Sequence, residues 1–156
     1  MKSYTVNTDA SFSRFRRRAA WAYYIKGEDW HVKASGMFPE DIEILASQYA
    51  ELRTFMKAME RVNDKVPEAE RSNTMIYINT DCMFVIHVLN KKKVLNINHP
   101  NNRALVAEAR KLIAGYKLIP RHVKAHTGNL TTARSYVNDW CDKAVRMEMG
   151  KAVYKK

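Results

Sequence analysis

At 156 residues the chain is expected to form one domain over residues 1–156, ending in a short basic tail from about residue 150. With 46% hydrophobic and 28% charged residues it is too apolar for a disordered segment, and it holds no apolar run near the roughly 18 residues of a membrane span. Lys and Arg outnumber Asp and Glu by 27 to 16, so the net charge of +11 favours a polyanionic partner, nucleic acid ahead of an anionic membrane surface.

Ser3–Asp9 alternates, with Tyr4, Val6 and Thr8 on one side and Asp9 at the polar end, which predicts a strand. Ala19–Lys26 and His31–Phe38 predict two more, joined through the turn chemistry of Lys26-Gly27-Glu28-Asp29. The period then changes to helical: Ile42, Leu45, Tyr49, Leu52, Met56 and Met59 predict a helix from Asp41 to about Val62. Pro67 falls in a charged loop, and the unbroken Met75–Ile78 run predicts a central strand buried on both faces. A helix through Phe84, Val85, Val88 and Leu89 follows, then a basic loop at Lys91–Lys93. Pro100 suits the first turn of a helix running to about Ala114. Tyr116–Lys124 predicts the last strand, and Thr131 or Thr132 a cap for the last helix. Three strands, then helix, strand, helix, strand, helix, make an α/β fold with a mixed sheet flanked by helices.

Four of the acidic residues stand out by position. Asp9 and Asp81 lie in or at the end of predicted strands, poor places for unpaired charge. Glu51 borders the apolar stripe of its helix. In the last helix Val137, Trp140, Cys141, Ala144 and Val145 form the stripe; Asp142 borders it, whereas Asp139 points away. Carboxylates brought together repel unless cations sit among them, and such hard oxygens suit Mg²⁺ or Mn²⁺. Other polar residues carry less. His122 and His126 have the spacing of a zinc pair but straddle a strand end and have no evident third ligand. Cys82 and Cys141 are too few for a disulfide framework or a four-cysteine zinc site, and they are expected as core thiols. The opening MKSYTVNTDASF lacks the apolar stretch of a secretory signal, so a cytoplasmic, intracellular location and no membrane partner are expected.

Five short stretches in order resemble the motifs of ribonuclease H. They are Asn7-Thr8-Asp9-Ala10-Ser11, Gln48-Tyr49-Ala50-Glu51-Leu52, Asn79-Thr80-Asp81, His122-Val123-Lys124-Ala125-His126-Thr127-Gly128 and Asn138-Asp139-Trp140-Cys141-Asp142-Lys143. The resemblance implies a ribonuclease H-like, five-stranded mixed sheet in order 3-2-1-4-5, with strands 1–3 antiparallel. It implies an endonuclease that cleaves the RNA strand of RNA/DNA hybrids with two Mg²⁺ ions, for which Mn²⁺ can substitute, leaving 5′-phosphate and 3′-hydroxyl ends. Asp9, Glu51, Asp81 and Asp142 would bind metal, with His126 a mobile histidine near the leaving group. Ser11, Gln48, Arg17, Lys91, Lys92 and Lys93 are the candidate contacts to nucleic acid. The chain departs from the family pattern at several points, among them a basic handle reduced to Lys91–Arg103. Ala10 stands where glycine is usual, Ser47 where asparagine is, and the stretch from His126 to Asp142 is longer. A resolvase or exonuclease of the same superfold would arrange its acids differently. A non-catalytic nucleic-acid-binding module would be expected to lose some of them. A monomer is expected.

Overall fold

The computed structural model describes residues 1–90, 100–123 and 133–154, with side chains of the last helix described over 137–150. The elements are β1 (Lys2–Ser13), β2 (Arg18–Lys26), β3 (His31–Met37), α1 (Ser47–Lys65), β4 (Thr74–Thr80), α2 (Met83–Leu89), α3 (Pro100–Leu112), β5 (Lys117–His122) and α4 (Ala133–Tyr154). A short 3-10 turn, Glu68–Asn73, occupies the charged loop after Pro67. The five strands form one sheet in the order β3-β2-β1-β4-β5. β1 pairs antiparallel with β2, and β2 with β3, whereas β1–β4 and β4–β5 are parallel.

Alternation along β1 decides which face each helix covers. Tyr4 and Val6 point to the α1 side, where Val6, Ile25, Leu52, Phe55 and Met59 are fully buried together. Burying one such side chain stabilises the fold by about 1.5–3 kcal/mol. On the opposite face Ala20 and Ala22 present almost no side chain, so α4 seats Cys141 and Val145 directly against β2. Cations on the outer side of α1 cover the aromatic edge of the sheet: Lys57 lies 4.6 Å from the Trp21 ring and Arg61 5.5 Å from that of Trp30. Gly27 lets the Tyr4 ring pack against the β2–β3 turn, because a Cβ there would come within 2.8 Å of that ring.

The structure corrects the sequence reading in several places. The first helix starts at Ser47 rather than Asp41. Residues 41–46 follow a turn in which the Ile42 N–H donates to the Pro39 carbonyl, and Ala46, in extended conformation, offers no side-chain cap. Ile44 is buried there while Leu45 is exposed, so the helical spacing of Ile42 and Leu45 is coincidental. The Met75–Ile78 run is buried on one face only: Ile76 and Ile78 are sealed in the main core, and Met75 and Tyr77 are half-buried. That face of β4 lies beyond α4, which packs on β1, β2 and β3. β1 is also longer than expected and continues to Ser13 because β2 pairs with it throughout. The predicted cap at Thr131 or Thr132 lies outside the described residues.

Candidate active site

The register of the parallel pair places the first two acids. Asn7 is aligned with Asn79, so Asp9 and Asp81, each two residues further on, emerge side by side at the same end of the sheet. This is the carboxyl end of adjacent strands, where open α/β sheets assemble their sites. Glu51 arrives from the second turn of α1. The Ala10 N–H donates to the Asp9 carboxylate at 2.9 Å and to Glu51 Oε1 at 3.3 Å, which clips helix and strand together. One oxygen from each of Asp9, Glu51 and Asp81 then lies within 4.8 Å of the others.

Asp142 does not join that trio, but it stands beside it. The neighbouring Cys141 Sγ lies 3.8 Å from the Asn7 carbonyl, which fixes this turn of α4 over β1. The Asp142 charge helps to raise the Asp9 pKa. Its carboxylate pairs with Arg146 one turn along the helix. Asp139 instead pairs with Lys143 at 2.9 Å.

Three carboxylates cannot all ionise cheaply in so small a space. Burial, then the charges of Asp81 and Asp142, push the Asp9 carboxyl up from its ordinary range to about 7. Burial, then Asp9 and Asp81, push Glu51 well above the usual carboxylate range. Glu51 Oε2 is buried with no hydrogen-bond partner. A hard divalent cation satisfies a buried oxygen that has no donor, and it offsets the repulsion among the acids around it. The residues therefore fit a hard divalent cation, which Asp9, Glu51 and Asp81 would hold together.

The other expected site residues fall in different places. Ser11 is half-buried two residues beyond Asp9 on the same face of β1, and Gln48 is half-buried one turn before Glu51. Arg17 is exposed in the β1–β2 turn with a positive φ of 51°. Lys91, Lys92, Lys93 and His126 lie outside the described residues. Burial raises the Cys82 thiol to about 11 and pushes Cys141 up further, which agrees with inert core thiols.

Sequence reasoning missed a polar ladder beneath the acids. Arg121 Nε donates to Asn79 Oδ1 at 2.9 Å, Asn79 Nδ2 to Asn7 Oδ1 at 2.8 Å, and Asn7 Nδ2 to the Tyr24 carbonyl at 3.4 Å. It also gave His122 little weight, yet His122 Nε2 lies 3.1 Å from the Asp81 carbonyl oxygen. Two buried asparagines within strands were the available signal, since neither has reason to be there without a partner.

A mixed sheet in this order, with carboxylates converging at the ends of its central strands, is the architecture of the ribonuclease H-like fold. The chain belongs to the RNase H family, whose model matches residues 1–149. No curated protein sequence matches it. Among solved structures it is similar to the N-terminal RNase H domain of rv2228c from Mycobacterium tuberculosis, at 12% identity and TM-score 0.71, covering 98% of this chain and 97% of that one. RNase H1 from the halophilic archaeon Halobacterium salinarum gives 20% identity and TM-score 0.66, covering 96% and 98%. LC11-RNase H1, solved in complex with an RNA/DNA hybrid, gives 16% and 0.64, covering 96% and 99%.

Proposed function

We propose that this chain, acting as one domain over residues 1–156, is an endonuclease that hydrolyses the RNA strand of RNA/DNA hybrids. The observation that carries the reading is the convergence of Asp9, Glu51 and Asp81 oxygens within 4.8 Å, in a chain of net charge +11. Asp9, Glu51, Asp81 and Asp142 hold two divalent ions, Mg²⁺ with Mn²⁺ as substitute. When bound, such ions supply Lewis-acid stabilisation to the attacking and leaving oxygens. The protein's share is positioning. The Ala10 N–H keeps Asp9 and Glu51 in contact, and Asp142, tethered to Arg146, completes the acidic wall from α4.

Substrate contacts follow from the same frame. Gln48 and Ser11 flank the acids on α1 and β1 and suit the minor-groove edge, where 2′-hydroxyls mark an RNA strand. Arg17 and Lys91–Lys93 take phosphates. His126 relays a proton near the departing 3′-oxygen, a task for which an imidazole titrating near neutrality is suited. The chain acts as a monomer in the cytoplasm.

End-group analysis tests the chemistry. Water attack in line leaves 3′-hydroxyls that a polymerase extends and 5′-phosphates that a ligase joins. Fragments ending in 2′,3′-cyclic or 3′-phosphate would mean that the 2′-hydroxyl is the nucleophile, and would overturn the assignment.

A further inference from the structure

The β1–β2 ladder runs unbroken to Ser13 opposite Arg18, so only Arg14-Phe15-Arg16-Arg17 forms the turn. β1 is aligned with β4 only as far as Asn7, and the hairpin therefore projects past the strand end that carries Asp81. Ser13, the last paired residue, lies four strand residues beyond Asp9, roughly 13 Å along the sheet, and the turn extends past it. At its tip Phe15 is 96% exposed. Single exposed apolar residues are ordinary, but this ring stands among Arg14, Arg16 and Arg17, all exposed.

The tip is also held in shape. Ser13 Oγ accepts the Arg16 N–H at 3.3 Å, and Arg18 at its base pairs with Glu40 at 2.7 Å. Arg17 occupies the left-handed region at φ 51°, where glycine would cost less. A pre-shaped turn that displays one aromatic ring among guanidinium groups suits a polyanion with an accessible base face. Inside a duplex the bases show only their edges in the grooves, so the ring finds a stacking partner at an unpaired nucleotide or a duplex end.

We infer that the β1–β2 turn is a second nucleic-acid contact, at which Phe15 stacks on an unpaired base while Arg14, Arg16 and Arg17 hold the flanking phosphates. At about 3.4 Å per nucleotide, the contacted base lies about four or more positions from the cleaved phosphate. The inference rests on the proposed hybrid-cleaving function. It directs the enzyme toward hybrids that end in, or join, a single strand.

The test compares two probes. One is a hybrid with a short single-stranded DNA extension on either strand. The other is the same hybrid set between long DNA duplexes, so that no end is within reach. Equilibrium binding in EDTA and KM with Mg²⁺ are read for both. The wild type is expected to prefer the extended probe, and Phe15→Ala to reduce that preference by about fivefold to a hundredfold, the range of base–aromatic stacking. Phe15→Trp should keep the preference and Phe15→Leu should not. An equal preference in wild type and Phe15→Ala overturns the inference, as does rescue by leucine. A Phe15→Ala variant that keeps the preference but no longer binds phosphatidylserine vesicles would overturn it in favour of an anionic membrane surface. If the wild type leaves both probes uncut with Mg²⁺, the proposed function itself fails, a result distinct from loss of the preference.

Discussion

Burial and the neighbouring charges raise the Asp9 and Glu51 carboxyls above their ordinary range, and this couples folding to pH and to metal. A carboxyl whose pKa rises on folding stabilises the fold while protonated. That contribution is complete below its unfolded value and is lost as pH rises through its folded value. For Asp9 the window runs from 3.8 to about 7, and the effect is on the order of a few kcal/mol. In EDTA, the melting temperature of Asp9→Asn should therefore gain on wild type as pH rises from about 4 to about 7. A difference that stays flat, or shrinks, across that window would contradict the burial argument.

Asp81→Asn should abolish turnover and leave the fold intact, because Asp81 adds repulsion to both neighbours. Removing that repulsion should raise the metal-free melting temperature by about 2–4 °C per kcal/mol relieved. The stabilisation gained from Mg²⁺ should shrink at the same time. Asp139→Asn is the control, since Asp139 pairs with Lys143 outside the cluster, and it should be nearly silent. Full cleavage by Asp81→Asn would remove Asp81 from the site. His126→Ala is expected to lower turnover by about one to two orders of magnitude, within the reach of general acid–base assistance, with Mg²⁺ affinity unchanged. His122→Ala should do much less, because its ring meets a backbone oxygen of Asp81 rather than the carboxylate. Single-turnover rates and Mg²⁺ titrations of both variants decide the order, and greater sensitivity at His122 would reverse the roles.

Between the elements, the asparagine ladder ties the site to the sheet. Asn7 and Asn79 are buried at the last aligned pair of β1 and β4, directly below Asp9 and Asp81. Asn79→Ala removes partners from Asn7 and Arg121 together and should cost about 1–3 kcal/mol in denaturant unfolding, the penalty for stranding a buried polar group. A cost near zero would mean that the ladder is replaceable. This ladder is invisible in the sequence because cross-strand pairing depends on register, which no local pattern states. The acids are legible for the opposite reason. A carboxylate at a strand end or on the rim of a helix stripe conflicts with its local surroundings, and the conflict shows in the chain itself. The start of α1 is hidden because Ile42 and Leu45 match helical spacing, although burial of Ile44 and the turn after Pro39 hold that stretch in another form. Phe15 gives no periodic signal at all, and only its exposure at a hairpin tip makes it notable.

The whole molecule distributes its charge unevenly: acids gather at one end of the central strands, and the arginine turn projects past them. Hybrid binding should then weaken steeply with salt. Replacing Arg14, Arg16 and Arg17 together with alanine should flatten the slope of log affinity against log salt by about 0.9 for each phosphate no longer neutralised. An unchanged slope would assign those side chains to solvent.

At the same scale, the acidic cluster should make this RNase H family member a metal-dependent cleaver of RNA paired to DNA. Labelled RNA/DNA hybrid, double-stranded RNA and double-stranded DNA, each incubated with Mg²⁺ or with EDTA, address this most directly. Cutting is expected in the RNA strand of the hybrid alone, and only with Mg²⁺. Cleavage of duplex DNA as fast as the hybrid's RNA, or cleavage that persists in EDTA, would contradict it.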